Sequence, residues 1–419
     1  MKKRILSAFL IISLLLCSSC SMKTIKFDYF DGKFSPFFVL HTGDMSVTAM
    51  VHETLLVTNG EDSGEKILDA YTKGVGVADI TLDDSDMSKL VCTIKIGEDV
   101  TFSDGTPMTA DDVIFSMYVY ADRDYEGWSG FNSTSIEGLK NYRYNNSFAQ
   151  NVSLTEEQLD KALENPDEKL SSLIKEKVIN PVLEDEMEWA QRVYDDSSYL
   201  GTELGQYMGI YPEAKDLFAY LYSIDKNYDS KSVDTADKVV EDIKAQYGID
   251  YETLGKVIGA DLKAAARRCA EEVITESILE TMESQPVNTI SGIQKIDDKT
   301  VNITLNTHDD NQLKTMLGIY IAPMHYYGDK ALYDYEGAKF GFVRGDLSKL
   351  KEKNAAPVGA GRYILKEYKN NKVVFEQNKD YFRNIPLENK VIFEATGNSS
   401  ESKVHGYYVT YENYTYIKN

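Results

Sequence analysis

"TFSDGTPMTADDVIFSMYVY", residues 101–120, runs a Gly/Pro-bearing turn straight into the opening of a helix. Ser103-Asp104-Gly105-Thr106-Pro107 has the composition of a tight turn. Thr109 is placed as an N-cap, and Asp112 follows three residues later as the acidic half of a capping box. Asp111 and Asp112 both complement the positive end of a helix. Val113, Ile114, Met117, Tyr118 and Ala121 then make a broad apolar stripe at helical spacing. Adjacent aspartates also invite a metal reading. Coordination needs further ligands at defined spacing, and the neighbouring sequence supplies none. A helix start accounts for both carboxylates.

Upstream, residues 89–96 alternate. Leu90, Cys92, Ile94 and Ile96 share one face, which predicts a half-buried strand. Downstream, residues 153–285 turn helical. Ser153-Leu154-Thr155-Glu156 reads as a capping box, and Val239, Val240, Ile243 and Tyr247 keep helical spacing up to Gly248. Strands return at 300–305, with Val301, Ile303 and Leu305 on one face, and at 362–368 and 372–376 around a predicted Asn370-Asn371 turn. Residues 396–419 are polar and Tyr-rich.

Lys2, Lys3 and Arg4 precede an apolar run over residues 5–16, too short to span a bilayer comfortably. This is the form of a secretory signal. Cys17-Ser18-Ser19-Cys20 follows and resembles a lipobox, with residues 1–19 removed and Cys20 acylated. The expected product is extracytoplasmic and held to the bacterial cell membrane by its lipid.

Without those three basic residues the net charge of −22 becomes −25. Such a charge argues against a nucleic-acid partner and against electrostatic attraction to anionic lipid. Beyond the lipobox only Cys92 and Cys269 remain, too few for a disulfide scaffold, and two lone buried thiols are expected rather than a pair. His52-Glu53 lacks the second histidine of a zincin helix, and "GWSG" at 127–130 is not a nucleophile elbow. No phosphate-binding loop or dinucleotide fingerprint is present. Nothing specific argues for an enzyme, a cofactor or a metal.

The opening stretch resembles the F-x-D-G-x-P-hydrophobic-T-A-x-D-V-x-F-S signature of extracellular solute-binding proteins of the oligopeptide/dipeptide/nickel class. Phe102, Asp104, Gly105, Pro107, Thr109, Ala110, Asp112, Val113, Phe115 and Ser116 carry it. "FSPFF" at 34–38, "VHETLL" at 51–56, "ISGIQKIDDKTVNITLN" at 290–306 and "IAPMHYY" at 321–327 resemble further family segments in order. "APVGAGRYILKEYKNNKVVFEQNKDYF" at 356–382 is similar to the P-V-G-T-G-P-Y block ending in N-x-D-Y, with Ala360 and Arg362 replacing Thr and Pro.

The resemblance implies an α/β periplasmic-binding-protein fold, type II and of the three-domain class, enlarged here by a helical insertion over 127–285. The implied first lobe comprises 20–56 and 290–395, and the implied extra domain 57–289. Family members continue past N-x-D-Y into a second lobe, whereas this chain ends 38 residues after Tyr381 with an atypical tail over 396–419. A missing C-terminal lobe is the expectation. The implied function is a non-enzymatic binding component of an ABC importer, capturing peptide and delivering it to a permease and its ATPase subunits. The alternative is a remnant or partner-binding surface lipoprotein without transport. Loops bordering the cleft are the expected ligand contacts: Ser35, Phe37, Phe38, Trp128, Phe131 and Asn132.

Overall fold

The computed structural model describes residues 23–27, 30–39, 41–55, 77–125 and 127–396, except 128, 196, 198–199, 203–205, 207–240, 243, 246, 259–260 and 384–387. The cysteine expected to be acylated and Trp128 lie outside the described residues, as do residues 397–419.

Two four-stranded sheets organise the chain. The first has the order β1 (Lys23–Phe27), β10 (Lys390–Ala395), β9 (Lys372–Gln377), β8 (Tyr363–Lys369). β1 runs parallel to β10, and the other pairs are antiparallel. Its apolar face, with Ile25, Phe27, Val373, Phe375, Val391 and Phe393, packs on Val47, Met50 and Val51 of α1 (Thr42–Val51). Asn370 and Asn371 have φ of 51° and 56°. Two left-handed residues in succession give a turn whose twist matches the strands it joins, so the Asn-Asn reading was correct.

The second sheet, β2 (Ala78–Asp83), β3 (Leu90–Ile96), β5 (Thr300–Leu305) and β4 (Ile293–Lys295), is antiparallel throughout. Leu90, Cys92, Ile94 and Ile96 are all buried on one face, as their alternation predicts. This sheet draws strands from both sides of the expected boundary between first lobe and extra domain. β4 and β5 had been placed with the first lobe, yet β5 lies directly beside β3, with Cys92 opposite Ile303. Three alternating apolar residues in β5 need the same core that β3 faces, and pairing is the way to reach it.

Over that sheet lies α2 (Ala110–Ala121), buried from Asp112 to Ala121. It is a core helix with more than one apolar face, because a hairpin of β6 (Tyr333–Asp334) and β7 (Lys339–Phe340) covers its other side. The Phe340 and Tyr118 rings stack there with centroids 3.4 Å apart.

Helices α3 (Glu156–Glu164), α4 (Glu168–Ile174), α5 (Asn180–Asp195), α6 (Tyr251–Ile258) and α7 (Lys263–Leu279) form a layer with its own core, running from Leu159 to Val273. α3 begins two residues later than expected. Thr155 is the N-cap: its N–H donates to Oε1 of Gln158 at 2.8 Å, and the Gln158 N–H donates to Thr155 Oγ1 at 3.2 Å. Leu154 and Leu159 both pack in this layer's core, a hydrophobic staple across the helix start that a Ser153 cap would misplace. Gly248 has φ +58° and Tyr247 is buried, while Val239, Val240 and Ile243 lie outside the described residues. Cys92 and Cys269 are free and belong to separate cores.

Candidate functional site

The loop after β1 and the loop after α2 meet. The Tyr120 hydroxyl donates to the Pro36 carbonyl at 2.9 Å, and the Tyr125 hydroxyl donates to the Phe37 carbonyl at 2.8 Å. Burial pushes both phenol pKa values up, so both remain donors. Gly127 makes the approach possible: a Cβ there would stand 2.3 Å from the Phe37 carbonyl oxygen.

This contact brings most of the expected ligand residues together, but as core. Phe37 is 1% exposed and packs edge-on against Phe115 and Tyr327, with Tyr120 tilted beside it at 5.2 Å. Phe131 is fully buried, 6.2 Å from the Tyr120 ring. Ser35 is fully buried and its Oγ accepts the Phe37 N–H at 3.2 Å, which shapes the loop. Phe38 is buried beside Tyr125, with Lys351 Nζ 5.4 Å from its ring centre. Asn132 is half-buried, and its Oδ1 accepts from the Ser133 hydroxyl at 3.2 Å. Side chains without surface stabilise the loop, each large apolar one by about 1.5–3 kcal/mol. In this arrangement they present almost no surface. Asn132 keeps surface to offer.

Next to this loop lies a polar junction that sequence reasoning missed. The Tyr381 hydroxyl donates to Glu53 Oε1 at 2.8 Å and accepts from Arg362 Nε at 3.2 Å. Arg362 is 6% exposed, and its Nε is 4.0 Å from Glu53 Oε1. Three family-like segments are tied here: "VHETLL", the Pro-Val-Gly block and N-x-D-Y. The signal was available, since a cation in a Gly-rich apolar block requires a buried acidic partner. Beside it, His52 Nδ1 is 3.2 Å from the Thr48 carbonyl and Nε2 is 3.3 Å from the Tyr327 hydroxyl. A carbonyl only accepts, so Nδ1 carries the proton and Nε2 accepts from Tyr327. Burial lowers the imidazole pKa to about 4, so it stays neutral near pH 7. His52 is 2% exposed, and the geometry is that of a satisfied core histidine.

The opening motif is fully accounted for by scaffolding. Asp104 Oδ2 lies 2.6 Å from His325 Nε2, joining the turn to the "IAPMHYY" segment. Asp111 pairs with Lys295 Nζ at 2.9 Å and accepts from the Tyr333 hydroxyl. Asp112 Oδ2 accepts the Thr109 N–H at 2.8 Å, as the acidic half of a capping box should.

Residues 82–200 and 216–404 match the family described as bacterial extracellular solute-binding proteins, family 5 Middle. The match covers well over half the chain, and the chain belongs to that family. This establishes the expected class, an α/β periplasmic-binding-protein fold of the extracellular solute-binding kind. No curated protein matches the chain in sequence. Among solved structures, the ABC transporter substrate-binding protein CtaP of Listeria monocytogenes is 15% identical, over 90% of this chain and 41% of its own, with a TM-score of 0.38. Lactococcal OppA complexed with an endogenous peptide is 14% identical, over 89% and 41%, with a TM-score of 0.41. Haemophilus influenzae OppA in complex with RPPGFSPFR is 14% identical, over 91% and 43%, with a TM-score of 0.39. The chain thus spans about two fifths of the length of these structures.

Proposed function

We propose that this chain is the binding component of an ABC importer, lipid-anchored through Cys20, that captures peptides and passes them to a membrane permease driven by ATPase subunits. The observation that carries the reading is the family match over residues 82–200 and 216–404. Peptide suits a binding surface built from loops and sheet, because an extended ligand offers its backbone groups whatever its side chains. Trp128 and Asn132, just past α2, are the proposed contacts. An aromatic ring offers apolar contact and an amide offers hydrogen bonds, the two kinds of group that line ligand sites.

Isothermal titration of the purified chain with a mixture of short peptides tests this. Saturable heat supports capture. A folded chain that gives no heat overturns it and favours a partner-binding surface protein. Radiolabelled palmitate incorporation tests the anchor, and Cys20→Ala abolishes it if the lipobox reading holds.

A further inference from the structure

Asp31, His41 and Asp185 converge from three places: the loop after β1, the residue before α1, and α5 of the helical layer. One donor atom from each lies within 4.8 Å of the other two. His41 Nε2 is 3.7 Å from Asp185 Oδ2. Lys33 Nζ shares the group, at 2.7 Å from Asp185 Oδ1, 3.1 Å from Glu188 Oε2 and 3.3 Å from Asp31 Oδ2. On the inner side the Asp44 carboxylate accepts the N–H groups of Asp31 at 3.0 Å and Gly32 at 3.2 Å.

Among the described residues, the carboxylates of Asp31, Asp185 and Glu188 lie beside the Lys33 ammonium, and that of Asp185 also beside the His41 imidazole. Asp31 is buried, so water screens these charges little.

We propose that Asp31, His41 and Asp185 bind a divalent transition cation of the zinc type, clasping the helical layer to the first sheet. Two carboxylates and an imidazole suit zinc, whereas calcium and magnesium take oxygen-only shells. Zinc bonds of about 2.0–2.2 Å set tetrahedral donors about 3.4 Å apart. The donor separations here, 3.7 Å for His41 to Asp185 and within 4.8 Å for all three, shorten to that when a cation is bound. Glu188 or water completes the shell. Lys33, with 24% of its side chain exposed, gives way to solvent when the cation enters. Because Asp185 comes from the helical layer and the other two ligands from beside the first sheet, occupancy and docking of that layer are linked.

The test is titration of the purified chain with Zn²⁺ alone, followed calorimetrically, with Co²⁺ as an absorbing substitute. One cation per chain is expected. Affinity should fall at least tenfold in both His41→Ala and Asp185→Asn, with far-UV circular dichroism unchanged. Lys33→Met should tighten binding, because it removes the competing cation. Zn²⁺ should raise the melting temperature of the parent chain and not of either variant. No binding by folded protein overturns the proposal. So does binding that survives both variants.

Discussion

Asp112 Oδ1 accepts the backbone N–H of Met324 at 2.9 Å, across 212 residues of chain, while its Oδ2 holds the first turn of α2. One carboxylate thus caps the central helix and anchors the segment that covers it. Asp112→Ala should lose a cap worth about 1 kcal/mol and strand a buried N–H costing about 1–3 kcal/mol. The expected outcome is a clear drop in the urea midpoint, with Asp112→Asn intermediate. An unchanged midpoint refutes the dual role.

Asp44 predicts a pH dependence. Its folded pKa, raised to about 7 by burial, exceeds the ordinary value of 3.8. The native state therefore holds this proton more tightly than the unfolded chain. Stability from this group is full below the ordinary value and is lost as pH rises towards 7, by at most about 4 kcal/mol. Denaturant melts between pH 4 and pH 8 should show this fall, and Asp44→Asn should flatten it. A profile identical in the variant removes Asp44 as its source.

The Arg362, Tyr381 and Glu53 junction predicts strong coupling. Arg362→Ala removes the Arg362 cation from the half-buried Glu53 carboxylate and should cost about 1–3 kcal/mol. Adding Glu53→Gln should recover part of that loss, because the second change removes the stranded charge. A double-mutant cycle measures the coupling. Strict additivity contradicts a shared network.

Ligand capture predicts a separation of binding from stability. Trp128→Ala should weaken peptide affinity several-fold in calorimetry and leave the melting temperature in place. Phe37→Ala, in contrast, empties a packed core site and should cost about 3–5 kcal/mol. A Trp128 variant with unchanged affinity, or one that is broadly destabilised, rules out the contact role.

Several elements were legible in the sequence because their causes are local. The acidic cap of α2, the alternation of β3 and the Asn370-Asn371 turn each depend on residues within one turn or one strand. The family signature is likewise a contiguous run. The α3 start was misplaced by two residues because two Ser/Thr-x-x-Glu/Gln frames overlap there, and only the Leu154–Leu159 staple selects between them.

Local sequence was enough for the start of α2, strands β3, β5, β8 and β9, the Asn-Asn turn and the family, since hydrogen bonds over a few residues and the periods of helix and strand are written in neighbouring side chains. Only the tertiary structure decided that β5 pairs with β3, that Phe37 and Phe131 are core, and that Arg362 meets Glu53. It also decided that Asp31, His41 and Asp185 converge. Each of these joins chain segments far apart in sequence. Alternation or an aromatic residue states that a partner must exist, but burial is shared between both partners, and the folded chain alone assigns which surface meets which.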